Sequence, residues 1–133
     1  MGGPTRSTDL LPLDAPAQVR RVLIVDDAQD MRTLMSRLLS QRGFDVVAAV
    51  ESSALAIEAV ERLVPDAVLL DVHLPDGDGF DLASRLVKAH PGIRILLTSA
   101  RADAGFHARA ELVGAKGFVA KAELGRVDFS VVW

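Results

Sequence analysis

Four short runs of β-branched and aliphatic residues do most to limit what this chain can become. They are Val22-Leu23-Ile24-Val25, Val46-Val47-Ala48-Ala49-Val50 within a second strand from Asp45 to Val50, Ala67-Val68-Leu69-Leu70, and Ile95-Leu96-Leu97 within a fourth strand from Ile93 to Ser99. None alternates apolar with polar, so each reads as a strand buried on both faces. Between them the apolar period changes. Met31, Leu34, Met35, Leu38 and Leu39 recur at helical spacing and form one stripe, closed by Gly43. Ala56, Ala59, Val60 and Leu63 form a second stripe, with Ser52 or Ser53 as N-cap and Pro65 as the stop. A third helix is predicted over Asp78 to His90, with Leu82, Ala83, Leu86 and Val87 inward and Pro91-Gly92 after it. A weaker helix spans Ala102 to Val113 and ends at Gly114. Gly117 to Lys121 is the fifth strand.

Strands alternating with helices, each strand apolar throughout, imply an α/β domain with a parallel sheet covered on both sides. Right-handed crossovers leave few arrangements. The common five-strand doubly wound order is 2-1-3-4-5, with its ligand crevice at the carboxyl ends of strands 1 and 3. The 133 residues suffice for one such domain and no more.

Carboxylates collect at that crevice. Asp26 and Asp27 follow strand 1, and Asp71 ends strand 3. Like charges this close raise one another's pKa unless protons or a cation intervene. Mg²⁺ suits such a place, because it takes a few carboxylate oxygens and keeps several waters. Thr98 and Ser99 end strand 4, and Lys121 ends strand 5. A hydroxyl can donate to a phosphoryl oxygen and an ammonium can neutralise one. Carboxylate, metal, hydroxyl and lysine at four strand ends make a site for phosphoryl transfer to aspartate.

From Arg20 to Lys121 the sequence resembles the response-regulator receiver domains of two-component signalling. The resemblance is carried by Val22-Leu23-Ile24-Val25-Asp26-Asp27, by Leu69-Leu70-Asp71-Val72-His73-Leu74-Pro75 with Asp78-Gly79 after it, and by Gly114-Ala115-Lys116-Gly117-Phe118-Val119-Ala120-Lys121. It implies that Asp71 accepts a phosphoryl group from a sensor histidine kinase, a phosphotransfer protein or a small phosphodonor. It implies that Asp27 ligates Mg²⁺ directly, Asp26 through water, and His73 through its backbone carbonyl. Lys121 would contact the phosphoryl group. The switch hydroxyl would be Ser99, followed by the small Ala100, with Thr98 as the alternative. Phe118 matches the aromatic that turns inward when the domain switches.

Other classes fit less well. A flavodoxin-type FMN site needs a Gly/Ser/Thr phosphate loop after strand 1, where Asp26-Asp27 would repel the ligand. An aspartyl phosphatase would show Asp-x-Asp on its first strand. A phosphorylation-independent docking module, or pseudo-receiver, is the alternative within the fold, yet such a module loses the acidic pair or the acceptor. The Asp76-Gly77-Asp78-Gly79 run lacks calcium-loop spacing and reads as a turn. Formal net charge is −3 and there is no cysteine, which argues against direct nucleic-acid binding and thiol chemistry. No run is long enough for a membrane span and no secretory signal is present, so a cytoplasmic setting is expected.

Two departures from the family pattern stand out. Ala122 follows Lys121 where the family has Pro, and only residues 122–133 remain for the closing fifth helix. Gly125 and the run Phe129 to Trp133 favour a shortened or altered helix. No output domain follows Lys121, so the chain reads as a stand-alone or excised receiver: a flexible leader over 1–19 and a receiver over 20–133. A sheet face left open should be covered by Leu10-Leu11-Pro12-Leu13, by the tail in extended form, or by a second copy. A homodimer through helix 4, strand 5 and the tail is the expected choice.

Overall fold

The computed structural model describes residues 19–101 and 103–133. Five parallel strands occur there: β1 (Arg21–Val25), β2 (Asp45–Val50), β3 (Ala67–Asp71), β4 (Arg94–Ser99) and β5 (Gly117–Ala120). Their order is β2-β1-β3-β4-β5, the expected doubly wound arrangement. The helices are α1 (Gln29–Gln41), α2 (Ser53–Leu63), α3 (Gly79–Ala89), α4 (Phe106–Leu112) and α5 (Phe129–Val132). A 3₁₀ segment, Lys121–Arg126, joins β5 to α5. The leader, including Leu10 to Leu13, lies outside the described residues apart from Val19, as does Ala102.

Successive strand residues point to opposite faces, and the core divides accordingly. Leu23, Val25, Val68, Leu70, Ile95, Leu97 and Phe118 pack beneath α2, α3 and α4. Val22, Ile24, Ala67, Leu69 and Leu96 pack against Met35 and Leu39 of α1 and against Leu124, Phe129 and Trp133. All five residues of β3 are buried, which explains its unbroken apolar run up to Asp71.

Helix ends follow the expected chemistry. Ser52 is the cap of α2, its Oγ accepting from the Leu55 N–H at 3.2 Å. Asp78 caps α3 by accepting from the Phe80 N–H. Gly43 and Gly114 take φ of +90° and +86° just past α1 and α4, the left-handed conformation that glycine adopts without a Cβ penalty. α2 ends differently. Val64 carries φ +48°, the only positive φ on a non-glycine among the described residues, and the Arg21 guanidinium donates to the carbonyls of Leu63 and Val64.

Several expectations need correcting. Leu34 belongs to the α1 stripe by spacing, yet it is 55% exposed, because the buried stripe is narrower and centres on Met35 and Leu39. α4 starts at Phe106, later than the pattern suggested, since Phe106 is its first residue to reach the core. Lys121 lies just past β5, as the first residue of the 3₁₀ segment.

The largest correction concerns the tail. It is not extended. Leu124, Phe129 and Trp133 are buried against β1, β3 and β4 within the same chain. Phe44, Phe129 and Trp133 meet with ring centroids 5.2–6.2 Å apart. The Arg42 guanidinium, just after α1, donates to the carbonyls of Gly125 (2.6 Å) and Val127 (2.7 Å). Asp128 caps the short α5 by accepting from the Ser130 N–H at 3.1 Å. A tight turn and one helical turn thus cover the face that a full helix would otherwise cover. Among the large apolar side chains of the tail only Val131 is strongly exposed.

Candidate functional site

Strand order brings the expected residues to one edge. β1 and β3 are neighbours, with Val25 beside Leu70, so Asp26 and Asp71 leave the sheet side by side. β3 and β4 pair with Asp71 opposite Thr98. β4 and β5 pair with Ser99 opposite Ala120, and Lys121 follows.

Asp26 and Asp71 are buried, and Asp27 is exposed. One oxygen from each of the three can be chosen so that all lie within 4.8 Å of one another. The Lys121 ammonium stands between the two buried carboxylates, 2.7 Å from Asp26 Oδ2 and 3.2 Å from Asp71 Oδ2. Backbone donors hold the remaining oxygens. The Ala28 N–H donates to Asp26 Oδ1 at 2.9 Å, and the His73 N–H to Asp71 Oδ1 at 3.0 Å.

These contacts leave Asp71 in tension. Burial pushes its carboxyl above the usual range and the nearby Asp26 charge adds to the rise, while the His73 N–H and Lys121 oppose both without cancelling them. Lys121 shows the mirror image. Burial alone would lower its pKa, but Asp26 and Asp71 together outweigh burial and hold it above the usual lysine value. One ammonium therefore serves two buried carboxylates, with Asp27 adding a third negative charge nearby. A hard divalent cation relieves such an excess, and oxygen-only donors of this kind suit Mg²⁺.

The two hydroxyls have different settings. Thr98 faces the α1 side with Met31, Met35, Leu69 and Leu124, and its Oγ1 is buried without a hydrogen-bond partner. Ser99 is fully buried and its Oγ accepts from the Arg101 N–H at 3.1 Å. By strand alternation Ser99 shares its face with Leu97, the partner of Phe118 in the β4–β5 pairing. Phe118 points inward and stacks edge-on with Phe106 (5.1 Å) and His107 (5.5 Å) of α4.

Two arginines with contacts of note were not singled out in the sequence, and Asp76 was read only as part of a turn. The Arg32 guanidinium donates to the Asp26 carbonyl at 2.8 Å. Arg109 lies 4.0 Å over the Phe80 ring and 3.4 Å from Asp78. Asp76 accepts from two backbone N–H groups of α2. An arginine one turn into a helix carries a faint local signal, being four residues past the N-cap. The Arg109 and Asp76 contacts span 31 and 22–23 residues and leave none.

Comparison with known proteins agrees with this geometry. The sequence model of the response regulator receiver domain matches residues 22–126. The chemotaxis protein CheY of Bacillus subtilis is 36% identical over 101 residues, covering 76% of this chain and 84% of that protein. Among solved structures, the signal receiver domain of the putative response regulator NarL from Mycobacterium tuberculosis superposes with a TM-score of 0.75 at 30% identity, covering 88% of this chain and 92% of that one. A LuxR-family two-component response regulator from Aurantimonas sp. gives 0.78 at 28% identity, with coverage of 86% and 85%. Among the described residues no helix is long and apolar enough to cross a membrane. With the sheet order, the acidic cluster and the lysine all in place, the chain belongs to the response regulator receiver domain family.

Proposed function

We propose that residues 20–133 form a receiver that accepts a phosphoryl group on Asp71 from a cytoplasmic sensor histidine kinase or phosphotransfer protein. The observation carrying this reading is the shared ammonium: Lys121 within 3.2 Å of Asp71 and 2.7 Å of Asp26, beside an exposed Asp27. A buried acceptor with a cation at hand and a surplus of carboxylates beside it is suited to phosphoryl transfer, which is mostly positioning and charge stabilisation.

The roles divide by setting. Asp71 supplies the attacking oxygen; the O–P bond forms as the donor's P–N bond breaks, leaving an acyl phosphate and a free histidine. Lys121 moves from the carboxylates to a phosphoryl oxygen, where it neutralises charge. Asp27, Asp71, the His73 carbonyl and, through water, Asp26 are the groups that would hold Mg²⁺, whose chemistry is to neutralise charge on the phosphoryl oxygens. Ser99 is the hydroxyl that turns toward the phosphoryl group. Its support is the sheet face it shares with Phe118, whereas Thr98 looks into the α1 side. Phe118, already inward, reports the change to α4.

Intact mass after incubation with acetyl phosphate and Mg²⁺ tests the proposal. One added phosphoryl group is expected for the wild type and none for Asp71→Ala. A wild type that remains unlabelled would leave a docking module without phosphorylation as the better reading, and labelling of Asp71→Ala would remove Asp71 as acceptor.

A further inference from the structure

The loop from β3 to α3 begins at Asp71 and contains the His73 carbonyl, so its shape sets the site. At its base the loop is held by backbone. The Val72 N–H donates to the Thr98 carbonyl at 2.9 Å, and the Gly79 N–H donates to the Val72 carbonyl at 2.7 Å. Gly79 sits so close that a Cβ there would lie 2.3 Å from the Asp71 carbonyl oxygen, which no side chain tolerates.

The tip is held in another way. His73–Leu74 and Gly77–Asp78 pair as a two-residue antiparallel hairpin with Pro75 and Asp76 at its turn. A hairpin this short does not hold its own shape. Asp76 reaches across to α2, one carboxylate oxygen accepting from the Ser53 N–H (2.8 Å) and the other from the Ala54 N–H (3.0 Å). Those are donors that the first turn of a helix leaves without intrahelical partners. The Ser52 Oγ takes a third, from Leu55. A carboxylate gripping two backbone N–H groups at a helix N-terminus is a strong form of this contact, charge-assisted and favoured by the helix dipole.

We infer that Asp76 is a positioning residue for the metal site, locking the hairpin tip to α2 and so fixing the peptide that presents the His73 carbonyl. The inference rests on the reading above, in which that carbonyl and the carboxylates hold Mg²⁺. Asp76 is three residues from His73, on the same hairpin, and touches none of the candidate ligands. Mg²⁺ demands near-octahedral oxygens, so a carbonyl left to wander weakens binding even when every ligand is present.

The test is Mg²⁺ titration of the full chain, followed by backbone amide NMR, with melting curves of the metal-free proteins. Asp76→Ala is expected to weaken Mg²⁺ binding about tenfold, the lower end of what outer partners of metal ligands contribute. Asp76→Asn keeps one acceptor oxygen for α2 and should fall between. Ser52→Ala removes the other cap of α2 without touching the hairpin; it should lower the melting temperature as Asp76→Ala does, yet leave Mg²⁺ affinity at the wild-type value. Wild-type affinity in Asp76→Ala, with a lowered melting temperature, would show a helix cap and nothing more. Equal weakening in Asp76→Asn and Asp76→Ala would assign the effect to charge and overturn the positioning role. A wild type that binds no Mg²⁺ at His73 and Asp71 would remove the proposed function itself, and this inference with it.

Discussion

The two faces of the sheet are covered in different ways. On one face α2, α3 and α4 lie over Leu23, Val68, Leu70, Ile95, Leu97 and Phe118. On the other, a single long helix, α1, covers part, and the rest falls to Leu124, Phe129 and Trp133 from a tail with just one turn of α-helix. Burial is equally complete on both, with Phe80 and Phe129 each 1% exposed. Covering a sheet therefore requires apolar volume at the right place more than it requires a helix. An arginine, Arg42, does for the tail what helical hydrogen bonds do for α2 and α3: it satisfies carbonyls and fixes the backbone.

Substitutions that treat the faces alike test the comparison most strongly. Phe129→Ala on the tail and Leu86→Ala on α3 both empty fully packed positions. Each is expected to cost about 3–5 kcal/mol in urea unfolding, within the usual range for large-to-small core changes. A cost under about 1 kcal/mol for Phe129→Ala alone would mean that the tail adds little to the fold.

Arg42→Ala is the next largest. Two hydrogen bonds to tail carbonyls and a ring contact with Phe129 are lost, partly exposed to water, so about 1–2 kcal/mol is expected. Trp133 is the sole tryptophan, and its emission should shift to the red as the tail loosens. An unshifted spectrum with full stability would show that the aromatic contacts suffice without the guanidinium.

The helical face has a weak point of its own at Val64, a β-branched residue in the left-handed region at the end of α2. Val64→Gly should raise stability by about 1 kcal/mol, since glycine adopts this conformation freely and Val64 is largely exposed. A lower melting temperature would mean that the valine side chain contributes packing that outweighs its backbone strain.

The smallest expected effect lies at the site and depends on pH. Asp71 has its folded pKa raised, so its contribution to stability is fully present below the unfolded value and is lost as pH rises through the folded one. At neutral pH without metal, Asp71→Asn should therefore melt slightly higher than the wild type, with the gap closing as pH falls below the range in which the carboxyl ionises. A gap that widens in acid would reverse the sign and show that Lys121 dominates over burial.

The two faces also differ in how far the sequence discloses them. The apolar runs of β1 and β3 and the caps at Ser52, Asp78, Gly43 and Gly114 are local signals, and the fold follows from them. Asp26, Asp27, Asp71 and Lys121 come together because parallel strands end at one edge, so the candidate site was legible once the sheet order was. The tail was not. Its coverage of β1 and β3 depends on Arg42, 83–85 residues away in sequence, and on Phe44 meeting Trp133. Spacing within residues 122–133 carries neither contact. The exposure of Leu34 was hidden for the same reason, because periodicity marks a stripe and only packing decides its width.

The central claim is that Asp71 itself carries the phosphoryl group. Reduction with borohydride converts an aspartyl phosphate to homoserine, and peptide mass spectrometry then reads which residue changed. After treatment with acetyl phosphate and Mg²⁺, homoserine is expected at position 71 and nowhere else. Homoserine at 26 or 27, or phosphate retained on Ser99, Thr98 or His73 with Asp71 intact, would contradict the account.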